Sequence, residues 1–137
     1  MGDNPDINEG TQFTPRFDQD GLIPAIAQDA NTGEILMVAY MNAESLELTR
    51  KTGFAVYFSR SRKRLWKKGE ESGHMQRIER ILVDCDQDCL VLKVRVDSGQ
   101  CHVGYQSCFY RALDPATGQL EFVADRVFDP ASTYRKK

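Results

Sequence analysis

Two short apolar segments joined by a turn constrain the fold more strongly than any other feature of this sequence. The first, LIPAIAQD, starts at Leu22, and the second, EILMVAY, starts at Glu34. Both have the length and apolar content of β-strands. Asn31-Thr32-Gly33 lies between them, and asparagine and glycine favour tight turns because they tolerate positive φ angles. The pair therefore predicts a β-hairpin that starts a sheet.

The residues that follow this hairpin predict a helix over residues 43–52. Asn42 is a favourable N-cap, Ser45 occupies the third helical position, and Gly53 is typical of a helix end. Two side-chain pairs also have the spacing that stabilises a helix, an apolar pair at its start and an ion pair along it: Met41 with Leu46, and Glu47 with Lys51. These signals are local, so the helix is expected whatever the rest of the chain does.

Three further segments have the composition of strands, and a turn signal predicts a second hairpin. The segments are residues 54–58, 75–83 and 89–96, the last of which is CLVLKVRV. The turn signal is Asp114-Pro115-Ala116-Thr117-Gly118. Together with the helix, they predict an α+β fold, in which a mostly antiparallel β-sheet carries few helices.

Length and composition favour one domain. With 137 residues and 41% hydrophobic content, the chain can bury roughly two thirds of the surface that its unfolded form exposes. The first dozen residues are polar and show no periodicity. Residues 1–12 are therefore expected to form a loose arm, and residues 13–137 a single domain.

Charge and hydropathy exclude several classes of partner. The 18 basic and 20 acidic residues leave a net charge of -2, which gives no general reason to bind nucleic acid. No apolar run approaches the length of a membrane span, and the start, MGDNPDINEG, has no features of a signal peptide. A cytoplasmic location is therefore expected. There the four cysteines stay reduced, which favours metal binding or catalysis over disulfides.

The segment Asp84-Cys85-Asp86-Gln87-Asp88 places three carboxylates at alternate positions. In an extended chain they point to one face about 7 Å apart, and each adjacent pair repels by about 2.4 kcal/mol at an effective dielectric constant near 20. A hard divalent cation such as Mg²⁺ relieves this repulsion. The alternative is a solvated acidic turn without a ligand.

The cysteines suggest a second metal site. Cys101 and Cys108 are separated by six residues that include a glycine, so two thiolates can meet at one zinc ion. Cys85 faces away from the carboxylates by the same alternation and would be a third ligand, which leaves one zinc position open for water, as in catalytic sites. The alternative is that these cysteines are small buried apolar residues. Cys89 is expected in the core, although a closed four-cysteine site would include it.

Proton transfer and phosphate binding have separate candidates. His74 and His102 lie in polar, glycine-flanked stretches, and either can exchange protons near neutral pH. The basic stretch from Arg60 to Lys68 is a candidate clamp for phosphate groups, and Trp66 offers a face on which a base can stack. The same stretch would suit a small zinc protein that binds single-stranded nucleic acid, although the balanced net charge argues against that. The H-x-E and P-C-x-x-C signals of zinc deaminases are absent.

Three segments, in this order and spacing, resemble the signature segments of the phosphoribosyl-AMP cyclohydrolase family. They are WKKGEESGH, which ends at His74, DCDQD, which ends at Asp88, and CHVGYQSCFYR, which starts at Cys101. The likeness extends from about Leu22 to Leu113. Since it joins three separate motifs, it is more specific than any one of them.

The resemblance implies a metal-dependent hydrolase of histidine biosynthesis. Its substrate would be 1-(5-phosphoribosyl)-AMP, opened at the N1–C6 bond of the adenine ring in the third step of the pathway. It also implies an intertwined homodimer in which zinc is held by Cys101 and Cys108 of one subunit and Cys85 of the other. Mg²⁺ is expected at Asp84, Asp86 and Asp88. His102 or His74 would transfer the proton, and substrate contacts are expected from Arg60, Arg62, Trp66, Lys67, Lys68 and Ser72.

Overall fold

The structure is a computed structural model that describes residues 5–70, 73–96, 99–101 and 103–131. Its elements, in chain order, are α1 (Pro5–Glu9), β1 (Ile23–Asp29), β2 (Ile35–Met41), α2 (Ala43–Thr52), β3 (Val56–Ser59), β4 (Arg64–Lys67), β5 (Arg77–Val83), β6 (Leu90–Arg95), β7 (Arg111–Leu113) and β8 (Leu120–Phe122). The predicted α+β class is confirmed. In the part of the chain that is described, neither helix has the length and apolar character needed to cross a membrane.

Six strands form one mixed sheet in the order β4-β3-β2-β1-β6-β5, and β7 pairs with β8 in a separate hairpin. The predicted first hairpin is confirmed, with Ile23 paired to Met41 in antiparallel register. Its turn is closed by Asp29, whose carboxylate accepts a hydrogen bond from the Asn31 amide at 2.8 Å. The sheet is not wholly antiparallel, because β1 and β6 run parallel. Since they are distant in sequence, this pairing gave no local signal.

Helix α2 has the predicted bounds and ends. The Asn42 side chain accepts from the Ser45 amide, the Ser45 hydroxyl accepts from the Asn42 amide, and Gly53 ends the helix at a φ of 80°. One detail differs from the prediction: Glu47 forms its ion pair with Arg50, at 3.4 Å. This pair has the alternative i,i+3 spacing that also brings side chains together on a helix.

The hydrophobic core is formed mainly by β1, β2 and β6, which lie in the middle of the sheet. Side chains on β1 alternate between buried and half-buried, as expected for a strand that packs one face against the interior. The largest fully buried apolar side chains come mainly from β1, β2 and β6: Ile23, Leu36, Met41, Tyr57, Leu90, Leu92 and Val94. This packing gives the loops at both ends of β6 a rigid base.

The N-terminal segment is more ordered than its sequence indicates. A loose arm was expected over residues 1–12, but residues 5–9 form helix α1. The side chain of Gln87 holds both α1 and the segment after it: its amide nitrogen donates to the Ile7 carbonyl at 2.9 Å, and its oxygen accepts from the Thr14 amide at 2.6 Å. The Asn8 side chain donates to the Cys85 carbonyl at 2.9 Å. The arm therefore lies across the turn between β5 and β6.

Candidate active site

The predicted metal ligands lie at opposite ends of strand β6. The acidic segment leads into its first residue, Leu90, and the cysteine loop follows its last residue, Arg95. Because a strand rises about 3.3 Å per residue, the two ends of β6 are about 17 Å apart. The loop carrying Cys101 and Cys108 is called the thiol end below. The turn carrying Cys85 and the three aspartates is called the carboxylate end.

The thiol end is a tight loop anchored to the sheet. The Cys101 amide donates to the Tyr105 carbonyl at 3.0 Å, and the Gly104 amide donates back to Cys101 at 2.9 Å. The Cys108 amide donates to the Leu36 carbonyl of β2 at 2.7 Å, which fixes the loop against the start of that strand. These bonds place both cysteines beside one another, as a shared metal would require.

The thiols of Cys101 and Cys108 lie within reach of one another. Although Cys108 is exposed as a whole residue, desolvation is the largest cause that raises the pKa of its thiol, to about 12, and the charge and hydrogen bond of Cys101 add to it. Cys101 is buried, with 4% of its surface exposed. A cation that binds between two adjacent thiols favours the loss of their protons, because zinc is bound by thiolates.

The side chains of Lys68 and His74 lie beside the thiol pair. Lys68 is buried, and its ammonium donates to the Gln100 carbonyl at 2.7 Å. The pKa of His74 is lowered by desolvation and then by the charge of Lys68, while a backbone hydrogen bond at Gly99 opposes the shift. The His74 ring meets the edge of Phe128 with centroids 4.6 Å apart. The structure therefore brings His74 to the thiol end, whereas His102 lies outside the described residues.

The carboxylate end is a turn, so the extended geometry predicted for it is wrong. Gln87 has a φ of 58°, and its amide donates to the Asp84 carbonyl at 3.0 Å. The Asp84 carboxylate accepts hydrogen bonds from the amides of Asp88, at 2.9 Å, and Cys89, at 3.2 Å. Aspartate commonly closes turns in this way, and the alternation argument that placed Cys85 opposite the carboxylates does not apply to a turn.

The carboxylates of Asp84 and Asp88 nevertheless lie close together. The pKa of Asp88 is raised by a side-chain hydrogen bond to Asp84, then by desolvation and by the negative charges of Asp84 and Asp86. A cavity of about 290 Å³ adjoins them, lined by Arg16, Phe17, Asp18, Leu22, Pro24, Asp86 and Asp88. Arg16 could not be singled out from the sequence, because it lies in a segment without a motif.

Cys85 and Cys89 both belong to the carboxylate end. Cys85 is exposed, and Cys89 is half-buried rather than in the core centre, with its pKa raised by burial and by Asp84 and Asp88. Neither cysteine adjoins Cys101 within the subunit. Across the described residues, no three histidine, cysteine or acidic side chains are grouped closely enough to hold a metal ion.

The predicted substrate-binding residues occupy the β3–β4 hairpin, whose second strand was not predicted. Arg62 lies on its exposed turn. The Arg60 guanidinium lies 4.1 Å from the centre of the Tyr40 ring, and Arg64 forms an ion pair with Glu70 at 3.7 Å. These side chains stay at the surface, where a charged ligand can reach them.

The remaining predicted contacts are less accessible. Trp66 is half-buried, and its ring lies 5.2 Å from that of Tyr57. The Lys67 ammonium lies 4.8 Å from the centre of the Phe54 ring. Lys68 points into the thiol end, and Ser72 lies outside the described residues. Arg60 and Arg62 therefore lie at the surface, whereas Lys68 is buried, although all three belong to one basic stretch of the sequence.

A buried polar network behind the thiols was missed by sequence reasoning. The Tyr57 hydroxyl donates to the Gln76 side-chain oxygen at 2.6 Å, and the Gln76 nitrogen donates to the Gln100 side-chain oxygen at 3.0 Å. Gln76 and Tyr57 have no exposed surface. Three polar residues scattered along the chain carry no signal until the fold brings them together.

The donor sets fit two different metals. Thiolates suit Zn²⁺, whereas a group of carboxylates suits Mg²⁺. The thiol pair offers two of the three or more protein ligands that zinc sites use, and the acidic turn offers carboxylate oxygens at the surface. The two ends therefore carry the donor types that suit zinc and magnesium, respectively, although neither end groups three such ligands within the described residues.

Comparison with known proteins bears on the same residues. A profile described as phosphoribosyl-AMP cyclohydrolase matches residues 37–110, more than half of the chain. A phosphoribosyl-AMP cyclohydrolase of Methanococcoides burtonii is 54% identical, with 88% of this chain and 96% of that protein covered. Those of Rhodopseudomonas palustris and Chlorobium limicola are 53% and 51% identical, covering 96% and 100% of this chain and 92% and 99% of their own lengths. The chain belongs to the phosphoribosyl-AMP cyclohydrolase family.

Proposed function

We propose that this chain hydrolyses the N1–C6 bond of the adenine ring in 1-(5-phosphoribosyl)-AMP and releases the formimino-carboxamide ribonucleotide. This is the third step of histidine biosynthesis, and a cytoplasmic enzyme would carry it out. Membership of the family supports the reaction. The observation that carries the proposal is the pair of interacting thiols, Cys101 and Cys108, beside a histidine and a lysine.

The zinc site is proposed to be completed by a second subunit. Cys101 and Cys108 of one subunit would bind the ion together with Cys85 of the other, since Cys85 lies at the far end of β6 within its own chain. The surface around Cys85 suits an interface: Leu82 and Val83 are 42% and 39% exposed on the edge strand β5. Exposed apolar side chains on an unpaired strand edge favour association with another chain.

The substrate's chemistry suits this arrangement. Alkylation at N1 makes the adenine ring electrophilic at C6, so attack by water there breaks the bond to N1 once that nitrogen receives a proton. Zinc, when bound, would act as a Lewis acid that activates the water. His74 has a lowered pKa and is therefore mostly neutral near pH 7, ready to accept a proton. His102 is the second candidate for this transfer.

Phosphate groups are proposed to bind at two places. Arg60 and Arg62 of the β3–β4 hairpin carry accessible positive charge, and Trp66, Lys67 and Ser72 would complete the contacts. Mg²⁺ at Asp84, Asp86 and Asp88 would bind a phosphate through its own charge. In a dimer that joins the two ends of β6, both groups would lie near one substrate.

An absorbance assay with purified protein, zinc, Mg²⁺ and 1-(5-phosphoribosyl)-AMP tests the proposal. The parent is expected to turn the substrate over, while Cys101→Ser and Cys108→Ser lose more than about 100-fold of the activity because a ligand is missing. Cys89→Ser is the matched control, since it removes a thiol that lies away from the pair. A folded, zinc-loaded parent without turnover would contradict the proposed function.

A further inference from the structure

Lys68 occupies an unusual place for a residue in a basic stretch. Only 8% of its surface is exposed, and its main chain is fixed by a hydrogen bond from its amide to the Ala55 carbonyl at 3.0 Å. Its ammonium donates to the Gln100 carbonyl at 2.7 Å. Burying an ammonium is costly unless hydrogen bonds and opposite charges compensate it. We therefore expect the buried Lys68 ammonium to act on the groups that surround it.

The residue that Lys68 contacts controls the position of the first thiol. Gln100 directly precedes Cys101 and is 2% exposed. Its amide donates to the Gln106 carbonyl at 3.1 Å, and its side-chain oxygen accepts from Gln76 at 3.0 Å. With the Lys68 bond, its amide, its side chain and its carbonyl are all engaged. A residue held at three points leaves its neighbour Cys101 little freedom to move.

Charge supplies the second part of the argument. The Lys68 ammonium lies beside the sulfurs of Cys108 and Cys101. A zinc ion with three thiolates carries one net negative charge, which one buried ammonium balances. The lysine therefore provides the counter-charge that a three-thiolate site needs.

We propose that Lys68 is a positioning residue for the metal site: its ammonium fixes the Gln100 carbonyl and balances the charge of the thiolates, and it does not bind a substrate phosphate. This rests on the proposed function in that Cys101, Cys108 and a third thiolate are taken to bind zinc. A phosphate ligand would need the Lys68 charge at the surface, where the Arg62 side chain lies.

Metal affinity without substrate tests the proposal. Zinc is competed from the protein with a chromophoric chelator, and the absorption of the Co²⁺-loaded protein reports how many thiolates bind. Lys68→Met keeps the length of the side chain but removes its charge and its donor. It is expected to weaken zinc binding by about 10–100-fold, as loss of supporting contacts around metal ligands does. Lys51→Met removes an exposed lysine of α2 and serves as the control.

The alternative makes a different prediction. If Lys68 binds phosphate, Lys68→Met raises the KM for the nucleotide and leaves zinc affinity and the Co²⁺ spectrum unchanged, and that result overturns the proposal. If Lys68→Met fails to fold, Lys68→Arg is decisive: retained zinc affinity supports the role of the charge, and affinity as weak as that of Cys101→Ser contradicts it. Turnover by the parent is measured separately, so a failure of the proposed reaction is recognised independently of the metal result.

Discussion

The thiol end and the carboxylate end of β6 are built in different ways. At the thiol end, the cysteine loop is anchored to β2, and a buried network of Tyr57, Gln76 and Gln100 lies behind it. At the carboxylate end, a short turn closes on its own Asp84, and the N-terminal segment is fastened over it by Gln87. The first end depends on long-range contacts and the second mainly on local ones.

This difference suits the two metal ions that are proposed to bind, Zn²⁺ at the thiol end and Mg²⁺ at the carboxylate end. Thiolates need a site where burial and a counter-charge govern when their protons leave, whereas Mg²⁺ keeps much of its water and can be held at a surface. Within the part of the chain that the structure describes, neither end alone groups the three ligands that a zinc site uses. We therefore expect the two ends to meet in a dimer, and we expect substitutions at each end to affect a different metal ion.

The largest effect is expected from hybrid dimers. Cys85→Ser and Cys101→Ser proteins should each lose more than about 100-fold of the activity, since each lacks a zinc ligand. Mixed after reversible dissociation, they should regain about a quarter of the parent's activity, because random pairing makes half of the dimers hybrid and each hybrid has one intact site.

Turnover by the mixture is measured with the absorbance assay, and the proportion of hybrids by native mass spectrometry with one subunit tagged. The control is a mixture of the Cys101→Ser protein with the Cys108→Ser protein. Both substitutions affect the thiol end, so no hybrid has an intact site. A hybrid population without activity would show that the two ends do not share a zinc ion.

Removing the contact that holds the arm tests the carboxylate end alone. Gln87→Ala deletes hydrogen bonds to Ile7 and Thr14 and should lower the free energy of unfolding by about 1–3 kcal/mol. Mg²⁺ affinity should fall with it, because the turn loses its cover, while zinc affinity stays at the parent's value. Urea unfolding and calorimetric titration measure these quantities, with the exposed Gln119→Ala as control. Equal losses of zinc and Mg²⁺ affinity would mean that the two ends are not independent.

Removing one hydroxyl tests the thiol end alone. Tyr57→Phe leaves the Gln76 oxygen without its 2.6 Å donor and should destabilise the fold by about 1–2 kcal/mol. Zinc affinity should fall moderately because Gln100 loses part of its support, and Mg²⁺ affinity should not change. Thermal unfolding and chelator competition measure the two effects, and Tyr110→Phe, on a half-buried ring outside the network, is the control. Unchanged zinc affinity would show that the network serves the fold only.

The smallest effect concerns charge at the carboxylate end. Folding raises the pKa of Asp88 above its ordinary value of 3.8, so the metal-free protein loses stability as the pH rises from that value through the folded pKa. Asp88→Asn should therefore slightly raise the Tm of the metal-free protein at pH 7 and abolish much of the further stabilisation by Mg²⁺. Melting curves from pH 3.5 to 7, with and without Mg²⁺, measure both. Asp125→Asn, at an exposed position away from the turn, is the control. A lower Tm for metal-free Asp88→Asn would contradict the proposed repulsion.

The predictions made from the sequence agree with the structure where the interactions are local, and they fail where the contacts are long-range. Helix α2 and the first hairpin were predicted because capping and turn residues act within a few positions, as Asn42, Ser45 and Gly33 do. The acidic segment was misjudged because strand alternation was applied to residues that form a turn around Gln87. The helical arm over residues 5–9 was missed because its contacts are with residues almost eighty positions away.

The sequence by itself determined which donors the protein has, where its local turns and helix ends lie, and which family it resembles, because these properties reside in residue types at short spacing. Only the tertiary structure decided that Cys101 and Cys108 meet, that Cys85 lies at the far end of the same strand, and that Lys68 is turned inward while Arg62 stays outside. Those facts follow from the parallel pairing of β1 with β6 and from the packing around it. Long-range contacts of this kind are selected by the whole core, so no short segment encodes them.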